Sequence, residues 1–302
     1  MTPAPAMALT GAILVVIYTG LISSADGITK LLAGGYAAPQ LYAVSGGLVA
    51  FFCFIANAIK PAQGGLRTTQ PVAMALRSVA TVIAGVSFFY AFRLLPFAEV
   101  FVFIGLMPLV AGLMSGPILK EAVALRVWIA LGTGFLGVIC LFPEGVHAVT
   151  LGHGVALLAC VSGTFSMVMA RYVGRTESNS LALVFYPNLL NMLVMAAVLP
   201  LVYKPMPLSD FGLAVAYAAL LFGARWLLVI ALRLLPAYTA TPLMNLQFIW
   251  MVIIGAVIFG EVPGSNIYLG ALIVVASGLY LVYDQFAPNR AARRAAMMPP
   301  AE

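Results

Sequence analysis

FRLLPFAEVFVFIGLMPLVAGLMSGPILKE (92–121) and LRLLPAYTATPLMNLQFIWMVIIGAVIFGE (232–261) align without a gap at an offset of 140 residues. Arg-Leu-Leu-Pro heads both segments and Glu closes both. Earlier in the chain, Gly11 and Lys30 match Gly152 and Arg171 at an offset of 141. The chain therefore reads as two similar halves, 1–145 and 146–302. Each repeated segment is dominated by one apolar run. A helix crosses the hydrocarbon core with about 20 such residues.

Working outward, ten apolar cores emerge: 9–29, 38–59, 71–92, 97–119 and 127–142, then 149–170, 179–203, 211–232, 234–260 and 262–283. The shortest, 127–142, borrows Arg126 or Pro143 at its ends. Five crossings per half is an odd number, so the second half runs through the membrane in the opposite sense to the first. The expected fold is an all-α polytopic membrane protein of ten transmembrane helices in two inverted five-helix repeats. A β-barrel is excluded because the runs are continuous rather than alternating over about ten residues. The first core lacks Lys or Arg before residue 30 and shows no cleavage site, so it reads as a retained helix and not a signal peptide.

Composition agrees. Hydrophobic residues make up 63% of the 302 and charged residues only 8%, with a mean hydropathy of +1.08. A soluble domain is about a quarter charged, so this surface is solvated mostly by lipid. The 15 basic side chains are scattered, which argues against a nucleic-acid partner. Cys53, Cys140 and Cys160 lie in apolar stretches, so neither a disulfide framework nor a metal site is expected.

Basic residues set the orientation. With the N-terminus inside, cytoplasmic connections carry Lys60, Arg67, Lys120, Arg126, Arg171, Arg175, Arg233, Arg290, Arg293 and Arg294. The other side carries Lys30, Arg93 and Lys204. Both termini are expected in the cytoplasm, and the location is the cell inner membrane.

Ionisable groups inside a bilayer are costly and usually face a cavity or the bundle interior. Asp26 and Lys30, four apart, share a helical face and can pair. Arg77, with Ser78 and Thr81 near it, can receive a substrate carboxylate or phosphate, or snorkel to a headgroup. Arg225 beside Trp226 carries the same two readings. Glu99, three residues after Pro96, is either a buried carboxylate that exchanges protons or an acid complementing a helix N-terminus. Glu121 and Glu261 read as boundary residues that cap the next helix or bind backbone at a turn. Tyr18, Ser23 and Ser24 mark the first core, Asn188 and Asn191 the seventh, and Asn245 and Gln247 interrupt the ninth. Buried amides need partners, either from a ligand or across helices.

An enzyme would need clustered catalytic groups. His147 and His153 share no helical face, no acidic pair for metal-diphosphate chemistry is present, and no Gly-rich nucleotide loop occurs. Inverted halves instead suit alternating access, one conformation open to each side.

The segments 88–121 (FFYAFRLLPFAEVFVFIGLMPLVAGLMSGPILKE) and 227–261 (LLVIALRLLPAYTATPLMNLQFIWMVIIGAVIFGE) resemble the helix, Leu-Pro turn, helix and terminal glutamate of EamA-type members of the drug/metabolite transporter superfamily. LGTGFLGVICL (131–141) and LGALIVVASGLYLV (269–282) resemble its half-closing helices, and the likeness extends over about 8–284. It implies a central cavity bounded by both halves, with the fifth and tenth helices set back. Mapped onto this chain, the implied cavity residues are Tyr18, Ser23, Asp26, Arg77, Tyr90, Asn188, Trp226 and Asn245. Members of the family move amino acids, nucleotide-linked compounds, purines, polyamines or drug-like amines. Ala237-Tyr238-Thr239 replaces Phe97-Ala98-Glu99 in the second half, so proton coupling through Glu99 would be one-sided.

The expectation is a secondary transporter of a small polar organic metabolite, an amino acid or related compound first. Nucleotide-linked metabolites such as S-adenosylmethionine are the alternative, and a non-transporting scaffold a further one. Expected partners are a small-molecule substrate, the lipid bilayer and protons. No cofactor is expected, and the oligomeric state is left between monomer and homodimer.

Overall fold

The computed structural model describes residues 5–59, 65–120, 150–177, 180–234 and 243–262, with isolated positions in 128–136 and 264–276. Among these residues every regular element is a helix. The helices are α1 (Pro5–Ala33), α2 (Ala38–Ile59), α3 (Pro71–Leu94), α4 (Phe97–Met114), α5 (Leu151–Gly174), α6 (Ser180–Val202), α7 (Leu208–Leu234) and α8 (Gln247–Phe259). Seven of them are long and apolar enough to cross a membrane, while α8 is a shorter apolar helix. The protein is therefore a polytopic helical membrane protein. The fifth core (127–142) and most of the tenth (262–283) lie outside the described residues, as do Glu121 and the second Leu-Pro turn.

Local chemistry sets the boundaries. Pro71 opens α3, where its missing N–H leaves no bond unmade. Pro96 holds Leu95 extended (φ −122°, ψ 153°), which separates α3 from α4. Beyond α4 the backbone widens into a π-turn over Ser115–Leu119. Pro117 sits within it and cannot donate an i→i−4 bond. Gly260, at φ +65°, closes α8 with its N–H on the Gly255 carbonyl.

The ninth core (234–260) carries the polar interruption at Asn245 and Gln247, and there the helix breaks. Leu243 and Met244 are helical, Asn245 and Leu246 form a turn, and α8 starts only at Gln247. Bonds from Leu246 N–H to Leu243, Phe248 to Asn245 and Ile249 to Leu246 all span three residues. Asn245 is a residue type whose short amide competes with the helical ladder.

The surface is inverted relative to a soluble protein. Ile13, Phe51, Phe54, Ile59, Val72 and Leu201 are exposed, while Thr19, Ser23, Thr29, Gln40, Ser45, Ser78, Asn188 and Gln247 are buried. This is the distribution that lipid solvation requires, with polar groups finding partners inside. Three broad packings hold the bundle: α1 on α7, α3 on α5, and α2 on α6. Each joins a helix from the N-terminal half of the chain to one from the C-terminal half.

The α2–α6 seam is close. A Cβ on Gly46 would lie 2.9 Å from the Asn188 carbonyl oxygen and 3.0 Å from the Met192 nitrogen, both backbone atoms. Gly152 is as crowded, but by the flexible Leu95 Cδ2 at 2.8 Å. Gly46→Ala should therefore cost about 1–3 kcal/mol, because two helices must move apart. Gly152→Ala should cost clearly less, since a side chain can yield. Unfolding titrations of the two variants in the same detergent compare them directly.

Polar braces tie the loops at opposite faces. At one face the Tyr36 hydroxyl donates to Asp210, Gln40 donates to the Lys204 carbonyl, and Lys204 Nζ donates to the Gly35 carbonyl at 3.0 Å. The hydrogen bond to Asp210, then burial, raises the Tyr36 phenol above its ordinary value. At the other face Glu177 Oε1 accepts from the Thr68 hydroxyl at 2.7 Å, the Thr69 hydroxyl at 2.8 Å, the Gln70 N–H at 3.0 Å and the Thr69 N–H. Helix α2 spans the thickness between the two braces.

Burial alone would push the Glu177 carboxyl up, but the donors on Thr68, Thr69 and Gln70 more than reverse this and hold it below its ordinary range. A carboxyl with a depressed native pKa contributes stability that is fully present above its unfolded value, about 4.3. That contribution is lost as pH falls through the lower native value. The stability advantage of the parent over Glu177→Gln should thus be largest near neutral pH and shrink on acidification. Melting curves of both proteins across an acid series test this.

Candidate functional site

The helix break before α8 places Gln247 where it reaches α1. Its Nε2 donates to Asp26 Oδ2 at 2.9 Å, and the Ser23 hydroxyl reaches the Gln247 carbonyl at 3.4 Å. Ser23 and Gln247 are buried, whereas Asp26 keeps some accessible surface deep in the bundle. Around them stand three buried tyrosines: Tyr18 on α1, Tyr42 on α2 and Tyr217 on α7. All three lie within electrostatic reach of Asp26. Tyr42 bridges two helices, its hydroxyl donating to the Gly85 carbonyl of α3 at 3.0 Å and its ring tilted on Tyr217 at 6.2 Å. Arg225 on α7 completes the group, its charge reaching Tyr18, Cys53 and Tyr217.

This arrangement puts a carboxylate, a guanidinium and three phenols from three helices around one interior region. Such a set recognises charged ends of a solute by ion pairing and its body by aromatic contact. Among the described residues no cluster of His, Cys, Asp and Glu could hold a metal.

Of the residues expected from the sequence, Tyr18, Ser23 and Asp26 meet here. Asn245 is buried at the turn that positions Gln247. Arg77 lies on α3 within electrostatic reach of Arg225. Tyr90 packs edge-on against Phe89 in the cluster that contains Tyr42 and Tyr217. Asn188 instead sits in the α2–α6 seam and donates to Val184 of its own helix at 2.7 Å. Trp226 is half-exposed and packs on Phe222, which itself faces Phe52 of α2. Glu99 is in the first turn of α4, its carboxylate 3.4 Å from His153 Nε2.

Asp26 and Lys30 do not pair with each other. Helix α8 runs along this face of α1, with Trp250 against Gly20 and Ile254 against Gly27. It supplies Gln247 to Asp26, and the residue just beyond its end takes Lys30. Lys30 Nζ lies 2.6 Å from Glu261 Oε1 and donates to the Leu95 carbonyl at 3.0 Å. Its ammonium is also 5.8 Å from the Phe97 ring centre and 5.3 Å from that of Phe259. Glu261 Oε2 accepts the Phe97 N–H at 2.8 Å. Glu261 does bind backbone, but at the start of α4 rather than at its own turn. This knot ties α1, α4 and the end of α8 together on the Tyr36 side of the Asp26 site.

Sequence reasoning missed Tyr42 and Tyr217 and left Arg225 undecided. One signal was available: Tyr217 stands 140 residues after Arg77, at the offset of the internal repeat.

Residues 150–283 match the EamA-like transporter family. The S-adenosylmethionine uptake transporter of Rickettsia prowazekii (strain Madrid E) is 22% identical over 254 residues, covering 78% of this chain and 83% of that protein. The riboflavin transporter of Vibrio cholerae serotype O1 is 24% identical over 189 residues, 63% of each chain. A crystal structure of a protein 17% identical superposes at a TM-score of 0.65, covering 94% of this chain and 98% of the other. That last likeness concerns the fold alone.

Proposed function

We propose that this chain is a small-metabolite transporter of the drug/metabolite transporter superfamily, a reading supported by the family match over residues 150–283 and by the two transporter relatives, and that it carries a polar solute bearing an α-amino-acid head by alternating access. The observation that carries the substrate reading is the Asp26–Gln247 hydrogen bond. It holds a carboxylate in the bundle interior with a neutral partner, ready to receive an ammonium. The three tyrosines around it suit the remainder of such a solute.

The alternating mechanism draws on the packing. Taking residues 1–145 and 146–302 as inverted five-helix repeats, α1 corresponds to α5, α2 to α6 and α3 to α7. The α1–α7 and α3–α5 packings are then one contact used twice, and α2–α6 is its own counterpart. Ten transmembrane helices, both termini in the cytoplasm and an inner-membrane location follow from the same scheme. Proton coupling through Glu99, beside His153, belongs to the proposal as well.

Within that class a free amino acid is the first reading. S-adenosylmethionine, an amino-acid conjugate of a nucleoside, is the second, favoured by the similar uptake transporter of Rickettsia prowazekii. Uptake into proteoliposomes from a panel of amino acids, S-adenosylmethionine, riboflavin and lipophilic cations tests the proposal. Saturable uptake of an amino acid or S-adenosylmethionine supports it; movement of lipophilic cations alone overturns it. Transport of the same solute with and without a pH gradient, at clamped potential, tests the coupling.

A further inference from the structure

Helices α3 and α7 share no broad packing face among the described residues, yet each packs on α1 and on α2. Tyr42 of α2 links them, touching Gly85 of α3 and Tyr217 of α7. The loop braces fix their senses. The start of α7 lies at the Tyr36 face, through Asp210, and the start of α3 at the Glu177 face, through Gln70. The two helices are therefore antiparallel. Arg77 precedes Gly85 by eight residues and Arg225 follows Tyr217 by eight. At 1.5 Å per residue both arginines lie about 12 Å from the tyrosine bridge, on its Glu177 side.

Two guanidiniums at one depth, within each other's field, repel. Nε and Nη1 of Arg77 are enclosed and have no hydrogen-bond partner. Among the described residues neither arginine joins an ion pair: the carboxylates of Glu261 and Glu99 are committed to Lys30 and His153. Asp26 is engaged by Gln247. The enclosed, unneutralised guanidinium of Arg77 is expensive to hold, while Arg225 beside it keeps some accessible surface, and a planar guanidinium fork matches a carboxylate or phosphate.

We infer that Arg77 and Arg225 together form an oxyanion site, which seats the carboxylate or phosphate of the transported solute between them. The inference rests on the transporter reading. It adds that the solute carries an anionic group at the Glu177 side of its ammonium, with the tyrosines between. A lipid headgroup phosphate has the same chemistry, so the test must separate the two sources.

The experiment uses the full chain in nanodiscs of phosphatidylcholine, and again with phosphatidylglycerol added. Thermal stabilisation is titrated with L-methionine and with L-methioninamide, which keeps the ammonium and lacks the carboxylate. Expected in both lipids is at least tenfold weaker apparent binding of the amide. Arg77→Gln and Arg225→Gln should each erase that difference by weakening methionine alone. Arg77→Lys and Arg225→Lys, which keep the charge and lose the fork, should narrow it several-fold and serve where a Gln variant fails to fold. Equal binding of acid and amide by the parent protein overturns the inference. So does an Arg-dependent stabilisation that appears only with phosphatidylglycerol, because the headgroup is then the ligand. Uptake by the same preparations separates the two claims. Amino-acid uptake indifferent to both arginines rejects the oxyanion site and leaves the carrier. Carboxylate binding that depends on both arginines, with no uptake of any panel solute, retains the site and rejects the carrier.

Discussion

Glu261→Ala should open the Tyr36 face of the bundle. The substitution removes the ion pair with Lys30 and the acceptor for the Phe97 N–H. The Lys30 and Glu261 side chains are only 13% and 23% exposed, so the ammonium is left in a largely dry place. Breaking a buried pair from one side costs about 3–5 kcal/mol. Lys30 keeps the Leu95 carbonyl and two aromatic rings, which reduces the net loss to about 2–3 kcal/mol. If the closed arrangement bears that whole cost, the closed-to-open ratio falls roughly 30- to 150-fold. A cysteine at Thr29, which is 2% exposed and directly precedes Lys30, reports the change. With the native cysteines replaced, a membrane-impermeant thiol reagent should label it far faster in the Glu261→Ala background. Unchanged labelling would show that the pair does not hold this face shut. Exchanging the charges, Lys30→Glu with Glu261→Lys, should restore only part of the closure, because an ammonium at 261 cannot accept the Phe97 N–H.

Asp26→Asn is the second large effect. The amide is nearly isosteric and still offers Gln247 an oxygen, so folded yield should hold. The charge offered to an ammonium is gone. A hydrogen bond to a charged group contributes about 1.5–3 kcal/mol, so the apparent affinity for an amino-acid solute should fall roughly 10- to 150-fold. Concentration-dependent uptake, normalised to folded protein, measures this. An unchanged affinity would remove Asp26 from the binding set and take the substrate reading with it.

Much of the architecture was legible because it is written in local terms. The length of the apolar cores and the prolines at 71 and 96 each act within a few residues. The partners of the polar groups were less legible. Asp26 and Lys30 sit on one helical face, and i,i+4 spacing suggested a pair. Each instead finds a partner brought by α8, more than two hundred positions later. For Asn188 the sequence left a ligand or a partner across helices open, and its Nδ2 donates within its own helix. Tyr42 and Tyr217 went unread since tyrosines in an apolar helix form no pattern when nearly every face is apolar. Arg225 suffered likewise: beside Trp226 it resembled an interfacial pair, and only the fold turns the two side chains to different surroundings.

Asp26 cannot meet Gln247 until 221 further residues have been made. A ribosome adding about 5–20 residues per second needs roughly 10–45 s for that stretch. Throughout this interval the nascent N-terminal half sits in the bilayer with the Asp26 carboxylate and the Lys30 ammonium both lacking their eventual partners. Gly46 likewise waits for the Asn188 and Met192 backbone that will cover it. Biogenesis thus has a vulnerable stage set by chain order. A ribosome stalled before residue 247 leaves behind a membrane intermediate with unmatched charges, which membrane quality control can recognise and destroy.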